Sequence, residues 1–306
     1  MIKRICGGAI TCASLVACLC GVRASADGEL TFVPDLGVRI DHAALASPSY
    51  DEDADLFHLY YDDERTHRQL VATSEDGLIF GPGANPTEWL HDPRILVMPR
   101  PDAEGRTIYR RYIRQPDSTF ISESSPDGTH FTRDGGIRYQ PRAQDLPVGV
   151  YDHFVDSEGG IVLLYIGDMY GVNNVRRAYS APGDNGWTFR FEDDDPLADA
   201  DLGGGPNSYV DQKSILLPDG RRRLFVMRQG SIYSFISQDD EGPFALEPNI
   251  RLTPASFGDL RVRSLHDPWP VLLPDGRVRL YLHGFVDDGS SSHNAILSAT
   301  EEKGSD

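Results

Sequence analysis

The sequence predicts an all-β fold, a five-bladed β-propeller with four-stranded antiparallel blades. Three observations carry it. An Asp leading into an apolar strand, a tight turn and a second strand recurs five times, led by Asp41, Asp92, Asp152, Asp211 and Asp267. The spacing of about 50–60 residues is near the longer propeller periods. Four repeats also close on a Ser-containing hairpin with Gly and an aromatic, and beyond the first residues no stretch holds a helical period for three turns.

In chain order, the first element is a leader. Lys3 and Arg4 precede an apolar run from Ile5 to Val22, and Ala24-Ser25-Ala26 fits a small-x-small cleavage site. Residues 1–26 are therefore read as a signal peptide. Leu15-Val16-Ala17-Cys18 also resembles a bacterial lipobox, whose processing would leave Cys18 lipidated. The expected location is secreted or periplasmic, with a membrane contact only through that lipid anchor. All four Cys (Cys6, Cys12, Cys18 and Cys20) lie in the leader. A chain cleaved after Ala26 has no disulfide and no thiolate chemistry.

Residues 27–306 read as one propeller domain, with blades over 36–85, 86–140, 145–195, 205–250 and 260–300. The fifth copy is the clearest: Ser264-Leu265-His266-Asp267-Pro268-Trp269-Pro270-Val271-Leu272-Leu273-Pro274-Asp275-Gly276. The fourth repeats it from Asp211 through Leu217-Pro218-Asp219-Gly220. The closing hairpins are Ser74-Glu75-Asp76-Gly77, Ser125-Pro126-Asp127-Gly128, the stretch from Ser180 to Trp187, and Ser237 to Phe244. Asp caps the turn amides, Gly takes the positive-φ position, and the aromatic packs beneath. The last repeat lacks this hairpin. A strand over 29–34 is expected to supply its outer edge, closing the ring and removing an open sheet edge.

The formal charge of the whole chain is −18. That is unfavourable for nucleic acid or an anionic membrane surface, which need clustered Lys and Arg.

In a propeller, equivalent positions of the innermost strands meet at one end of the axis. The five Asp residues are thus expected to converge, flanked by His42, His91, His153 and His266. Crowded carboxyls cannot all ionise freely, and carboxyls with separated pKa values are what glycosidic acid/base chemistry needs. No metal-ligand spacing is present and no cofactor is required. Clustered carboxylates would suit a Ca2+ ion near the axis.

The five blades, the Asp at each entrance, His91-Asp92-Pro93 and the Ser-x-Asp-Gly hairpins resemble the five-bladed propeller glycoside hydrolases: the arabinanase/β-xylosidase group with its invertase and levansucrase relatives. The resemblance covers nearly all of the mature chain as architecture. It implies a carbohydrate substrate and three acidic residues from blades one to three. Asp41 then matches the base or nucleophile, Asp92 the residue that orients substrate and tunes pKa, and Asp152 the general acid. The third position is Glu in that group, so Asp152 is a departure. His42, Trp89, His91, His153, Asp211, His266 and Asp267 are read as substrate-binding candidates. For Asp211 and Asp267 the competing reading is structural, holding adjacent blades through backbone hydrogen bonds. The expected function is hydrolysis of a neutral oligo- or polysaccharide; the alternative is a non-catalytic carbohydrate- or protein-binding propeller.

Overall fold

The computed structural model describes residues 30–86, 94–193, 195–197, 208–258, 260–287, 289 and 291–303. The leader, the lipobox, and Trp89, His91 and Asp92 lie outside the described residues. The fold is all-β and a five-bladed propeller. Two short strands come first, β1 (Phe32–Pro34) and β2 (Ile40–Asp41). Blade 1 is β3 (Ala43–Asp51), β4 (Leu56–Asp63) and β5 (Arg68–Ser74). Blade 2 is β6 (Leu96–Val97), β7 (Tyr109–Arg114), β8 (Phe120–Ser125) and β9 (Thr132–Arg133). Blade 3 is β10 (Tyr151–Val155), β11 (Ile161–Gly167), β12 (Asn174–Ser180) and β13 (Arg190–Asp193). Blade 4 is β14 (Val210–Leu216), β15 (Arg222–Arg228), β16 (Ser231–Ile236) and β17 (Ala245–Leu246). Blade 5 is β18 (Val262–Leu272), β19 (Val278–Asp287) and β20 (Ser292–Glu301).

Blade 5 is completed by the start of the chain, as expected. β1 pairs antiparallel with β20, placing Phe32 opposite Glu301 and Pro34 opposite Ala299. The closure extends further than the strand over 29–34. β2 also pairs with β20, Asp41 lying opposite Ala295, so blade 1 begins at Ala43. The Asp35 carboxylate locks the seam by accepting from Ser298 Oγ at 2.6 Å and Thr300 Oγ1 at 2.9 Å. Among the described residues, the outer edge of blade 1 carries one bridge, Val71 with Ala84.

The core is a series of layers between blades. Tyr112, Phe120, Tyr151, Leu163 and Tyr165 pack blade 2 on blade 3. Phe154, Leu164, Leu224, Val226 and Phe235 pack blade 3 on blade 4. Leu59, Tyr61, Val271, Tyr281 and Ile296 pack blade 1 on blade 5. Covered on both faces, β11 is buried along its whole length, and its run Ile161-Val162-Leu163-Leu164-Tyr165 is apolar rather than alternating.

The closing hairpins also join blades. From blade 5, Arg279 Nη1 donates to Asp76 O at 2.7 Å and Tyr281 Oη to Gly77 O at 2.7 Å. From blade 2, Arg110 Nη1 and Tyr112 Oη donate to Asn185 O and Gly186 O of blade 3. Gly77 and Gly186 both have positive φ. A Cβ on Gly77 would stand 2.6 Å from Tyr281 Oη, and one on Gly186 would overlap Tyr112 Oη. The glycines are needed for the turn and for this close approach.

Candidate active site

Three innermost strands carry the same irregularity. In β3 the register shifts between Ala44 and Ser47, in β14 between Val210 and Lys213, and in β18 between His266 and Trp269. Two residues there oppose one on the partner strand, which defines a β-bulge. The first bulged residue has a left-handed backbone each time: Leu45 at φ 53°, Asp211 at 58° and Asp267 at 47°. Asp tolerates that region better than most residues and Leu poorly. Backbone strain of this kind concentrates where a side chain must be aimed.

The bulges open onto an axial cleft of about 230 Å³. Leu45, Asp211 and Asp267 line it, and so do the residues two further on, Ser47, Lys213 and Trp269. Blade 1 adds Asp62 and Gln69, blade 2 adds Ile113 and Arg114, and blade 3 adds Val150 and Tyr151. All five blades therefore reach one site. Lys213 Nζ donates to Tyr151 O at 2.8 Å and lies 4.2 Å from the centre of the Trp269 ring. The cleft thus joins a mostly buried aromatic wall to a cation and carboxyl groups.

Asp211 is the most perturbed of the cleft carboxyls. Burial, joined by the negative charge of Asp267, pushes its pKa up to about 8, against a backbone N–H from Asp267 and the positive charges of His283 and Lys213. The direction favours the protonated form of Asp211. Behind Asp267 stands His283. Its Nδ1 faces Asp267 Oδ2 at 3.3 Å and its Nε2 faces Asn294 Oδ1 at 2.6 Å. The Asn294 amide is oriented by Glu64, to which its Nδ2 donates. With acceptors at both ring nitrogens, only the imidazolium satisfies His283 fully. Burial lowers its pKa, but the hydrogen bonds to Asp267 and Asn294 and the negative charges of Asp267 and Asp211 outweigh that, so the net shift is upward. His266 is shifted down by burial and by the neighbouring His283 charge. Its Nε2 lies 2.8 Å from Ser264 Oγ.

Of the four described repeat Asp residues, Asp211 and Asp267 line the cleft and Asp41 and Asp152 do not. Asp152 is 0 % exposed. Its Oδ1 lies 3.0 Å from Arg94 Nε of blade 2, and its Oδ2 accepts from the Ser214 amide of blade 4 at 2.8 Å. Burial opposes ionisation, but Arg94, Lys213 and the Ser214 amide hold the Asp152 pKa below its ordinary value. The enclosed carboxylate ties blades 2, 3 and 4 together. The physical reason is that β10 has no bulge: Asp152 pairs in regular register with Leu164, so its side chain stays between blades. His153 is buried as well, its Nε2 donating to Arg94 O at 2.9 Å and its ring edge-on to Tyr112. His153 does not line the cleft.

Asp41 is corrected in another way. Blade 1 places Leu45, four residues later, at the bulge that Asp211 and Asp267 occupy in blades 4 and 5. Asp41 instead ends the outer strand β2, with 51 % of its side chain exposed. It pairs there with His293 Nε2 at 2.7 Å, beside His42 and Arg65. Neither Asp41 nor His42 lines the cleft. Sequence reasoning also missed Asp62, Lys213, His283, His293 and Asn294. Asp62, Lys213 and His283 lie in strands that read only as blade structure. The available signal for Lys213 was its equivalence to Trp269, each two residues beyond a repeat Asp. Among the described residues, one group has metal-ligand spacing: Asp41, His42 and His293.

No protein-family model matches the chain, and no curated protein matches it. Solved structures do. The endo-arabinase of Bacteroides thetaiotaomicron superposes with a TM-score of 0.53 at 13 % identity, covering 91 % of this chain and 99 % of that one. The α-L-arabinofuranosidase of Podospora anserina, solved with cellotriose, gives 0.59 at 11 % identity, covering 90 % and 97 %. The arabinanase of Bacillus subtilis gives 0.52 at 11 %, covering 88 % and 97 %. The chain thus has a glycoside-hydrolase-like propeller fold, a likeness of shape at low sequence identity.

Proposed function

We propose that this is an exported glycoside hydrolase acting on a neutral oligo- or polysaccharide in the axial cleft, with Asp211 and Asp267 as the working carboxyls. The carrying observation is the pair of equivalent bulges that present both residues to one cleft; burial and the charge of Asp267 raise the Asp211 pKa. Two carboxyl groups in different protonation states are the requirement for acid-assisted cleavage of a glycosidic bond. Asp211 donates its proton to the departing glycosidic oxygen. Asp267 serves as the carboxylate partner, either activating water or stabilising the sugar cation. Asp62, Gln69 and Lys213 bind hydroxyl groups, and the Trp269 face packs against the C–H face of a sugar ring. Export rests on the leader sequence, and the neutral substrate on the acidity of the chain. The experiment is incubation of the purified protein with arabinan, xylan, galactan, fructan and aryl glycosides, with product analysis by chromatography. Release of sugar by wild type and loss of release by Asp267→Asn support the reading.

A second reading is a glycan-binding propeller without turnover. The observation that favours it is Leu45, which gives blade 1 an apolar side chain where blades 4 and 5 give a carboxyl. Retention on immobilised glycan with no product after a day of incubation would establish binding alone.

A further inference from the structure

We infer that Asp41, His42 and His293 form a site for a divalent transition cation of the Zn2+ class at the seam where the propeller ring closes. The ligand atoms of the three residues all lie within 4.8 Å of one another. His293 Nε2 is 2.7 Å and His42 Nε2 3.6 Å from the two oxygens of the Asp41 carboxylate. The two imidazoles stack with centroids 4.3 Å apart and planes 18° apart, so both rings turn the same nitrogen toward one carboxylate. A tetrahedral ion at about 2.0–2.1 Å from each ligand puts the ligand atoms roughly 3.3 Å apart, so the His293–Asp41 edge opens from 2.7 Å and the wider edges of the triangle close. Two imidazoles with one carboxylate select a borderline cation over Ca2+, which prefers oxygen alone.

One of the two imidazoles has a carboxylate behind it, and His293 Nδ1 is buried with no hydrogen-bond partner. His42 Nδ1 lies 3.7 Å from Glu64 Oε2. Glu64 is itself fixed by Asn294, whose backbone N–H donates to Oε2 at 3.2 Å and whose side-chain amide donates to Oε1. A carboxylate behind a ligating imidazole is the usual orienting device of metal sites. His42 has a left-handed backbone, φ 56°, and Glu64 N donates to its carbonyl at 2.9 Å. The ring is held in place by the fold, not by the ion. Binding displaces the proton shared by His293 Nε2 and Asp41 Oδ1 to solvent. The Arg65 guanidinium, 3.8 Å from Asp41 on a 65 % exposed side chain, swings aside.

The location gives the ion a role. Asp41 ends β2, His42 leads into blade 1, and His293 stands on β20 of blade 5. One ion therefore fastens the entering chain to the last blade, in series with the β1 and β2 pairings. This is a structural staple, separate from the carboxyls of the cleft.

The test uses the untagged full-length protein, stripped with chelator and dialysed. Zn2+, Ni2+ and Ca2+ are added separately, followed by equilibrium dialysis with metal analysis and by thermal unfolding. One Zn2+ per chain and a rise in Tm of several degrees are expected, with little response to Ca2+. His293→Ala and His42→Asn should each lower Zn2+ affinity by at least about tenfold and abolish the Tm rise. Asn keeps the left-handed backbone at position 42, so the second variant remains informative if the first folds poorly. His67→Ala, outside the cluster, should behave as wild type. No bound Zn2+, or equal binding by both ligand variants, overturns the site and leaves an ordinary Asp41–His293 ion pair.

Discussion

The Asp267 backbone amide is hydrogen-bonded to the Asp211 carboxyl, and the two residues occupy the same bulge position on neighbouring innermost strands. This relationship makes Asp211 a pH-dependent element of stability. The raised carboxyl binds its proton more tightly in the folded chain than in the unfolded one. Its contribution is complete below the ordinary carboxylate range and is lost as pH rises through about 8. Asn at 211 has no proton to lose. In urea unfolding, the stability of wild type relative to Asp211→Asn should fall steadily from about pH 5 to about pH 9. A pH-independent difference would contradict the assignment.

Asp152 fixes blades 2, 3 and 4 to one another through Arg94 and the Ser214 amide. Removing the carboxylate leaves Arg94 and Lys213 as incompletely compensated charges in a buried setting. Asp152→Ala should destabilise the fold by about 3–5 kcal/mol. Chemical denaturation checks this, and a loss below about 1 kcal/mol would return Asp152 to consideration as a residue kept for function.

Ring closure depends on a short strand with one large apolar anchor. Phe32 is buried and sits edge-on to Phe225 of blade 4, centroids 5.7 Å apart. Phe32→Ala should cost about 3–5 kcal/mol. It should also expose the β20 edge, raising the tendency to self-associate. Thermal unfolding with light scattering measures both, and a variant as stable and monodisperse as wild type would show that β2 suffices for closure.

The architecture was legible because it rests on repetition. The Asp-led strands recur once per blade, Asp-Gly turns mark four of the five, and the missing last hairpin pointed to closure by the start of the chain. The site was less legible because a single bulge decides which way a side chain points. Asp152 lies in a repeat resembling those of Asp211 and Asp267, yet regular pairing on β10 turns it inward. In blade 1 the repeat has drifted: Asp41 looks like the leading Asp, but Leu45 occupies the bulge. Neither fact has a local sequence signature. What the sequence did offer was Asp at two bulge positions, a residue type that accepts a left-handed backbone.

The measurement that tests the central claim most directly is the pH–rate profile of sugar release on the best substrate of the panel, for wild type and Asp211→Asn. The wild-type rate should fall as pH rises through about 8. The variant should be at least about 100-fold slower across the range, as expected for loss of a general acid. A variant with the wild-type rate and the same profile would contradict Asp211 as the proton donor. Glycan bound without product at any pH would contradict hydrolysis itself.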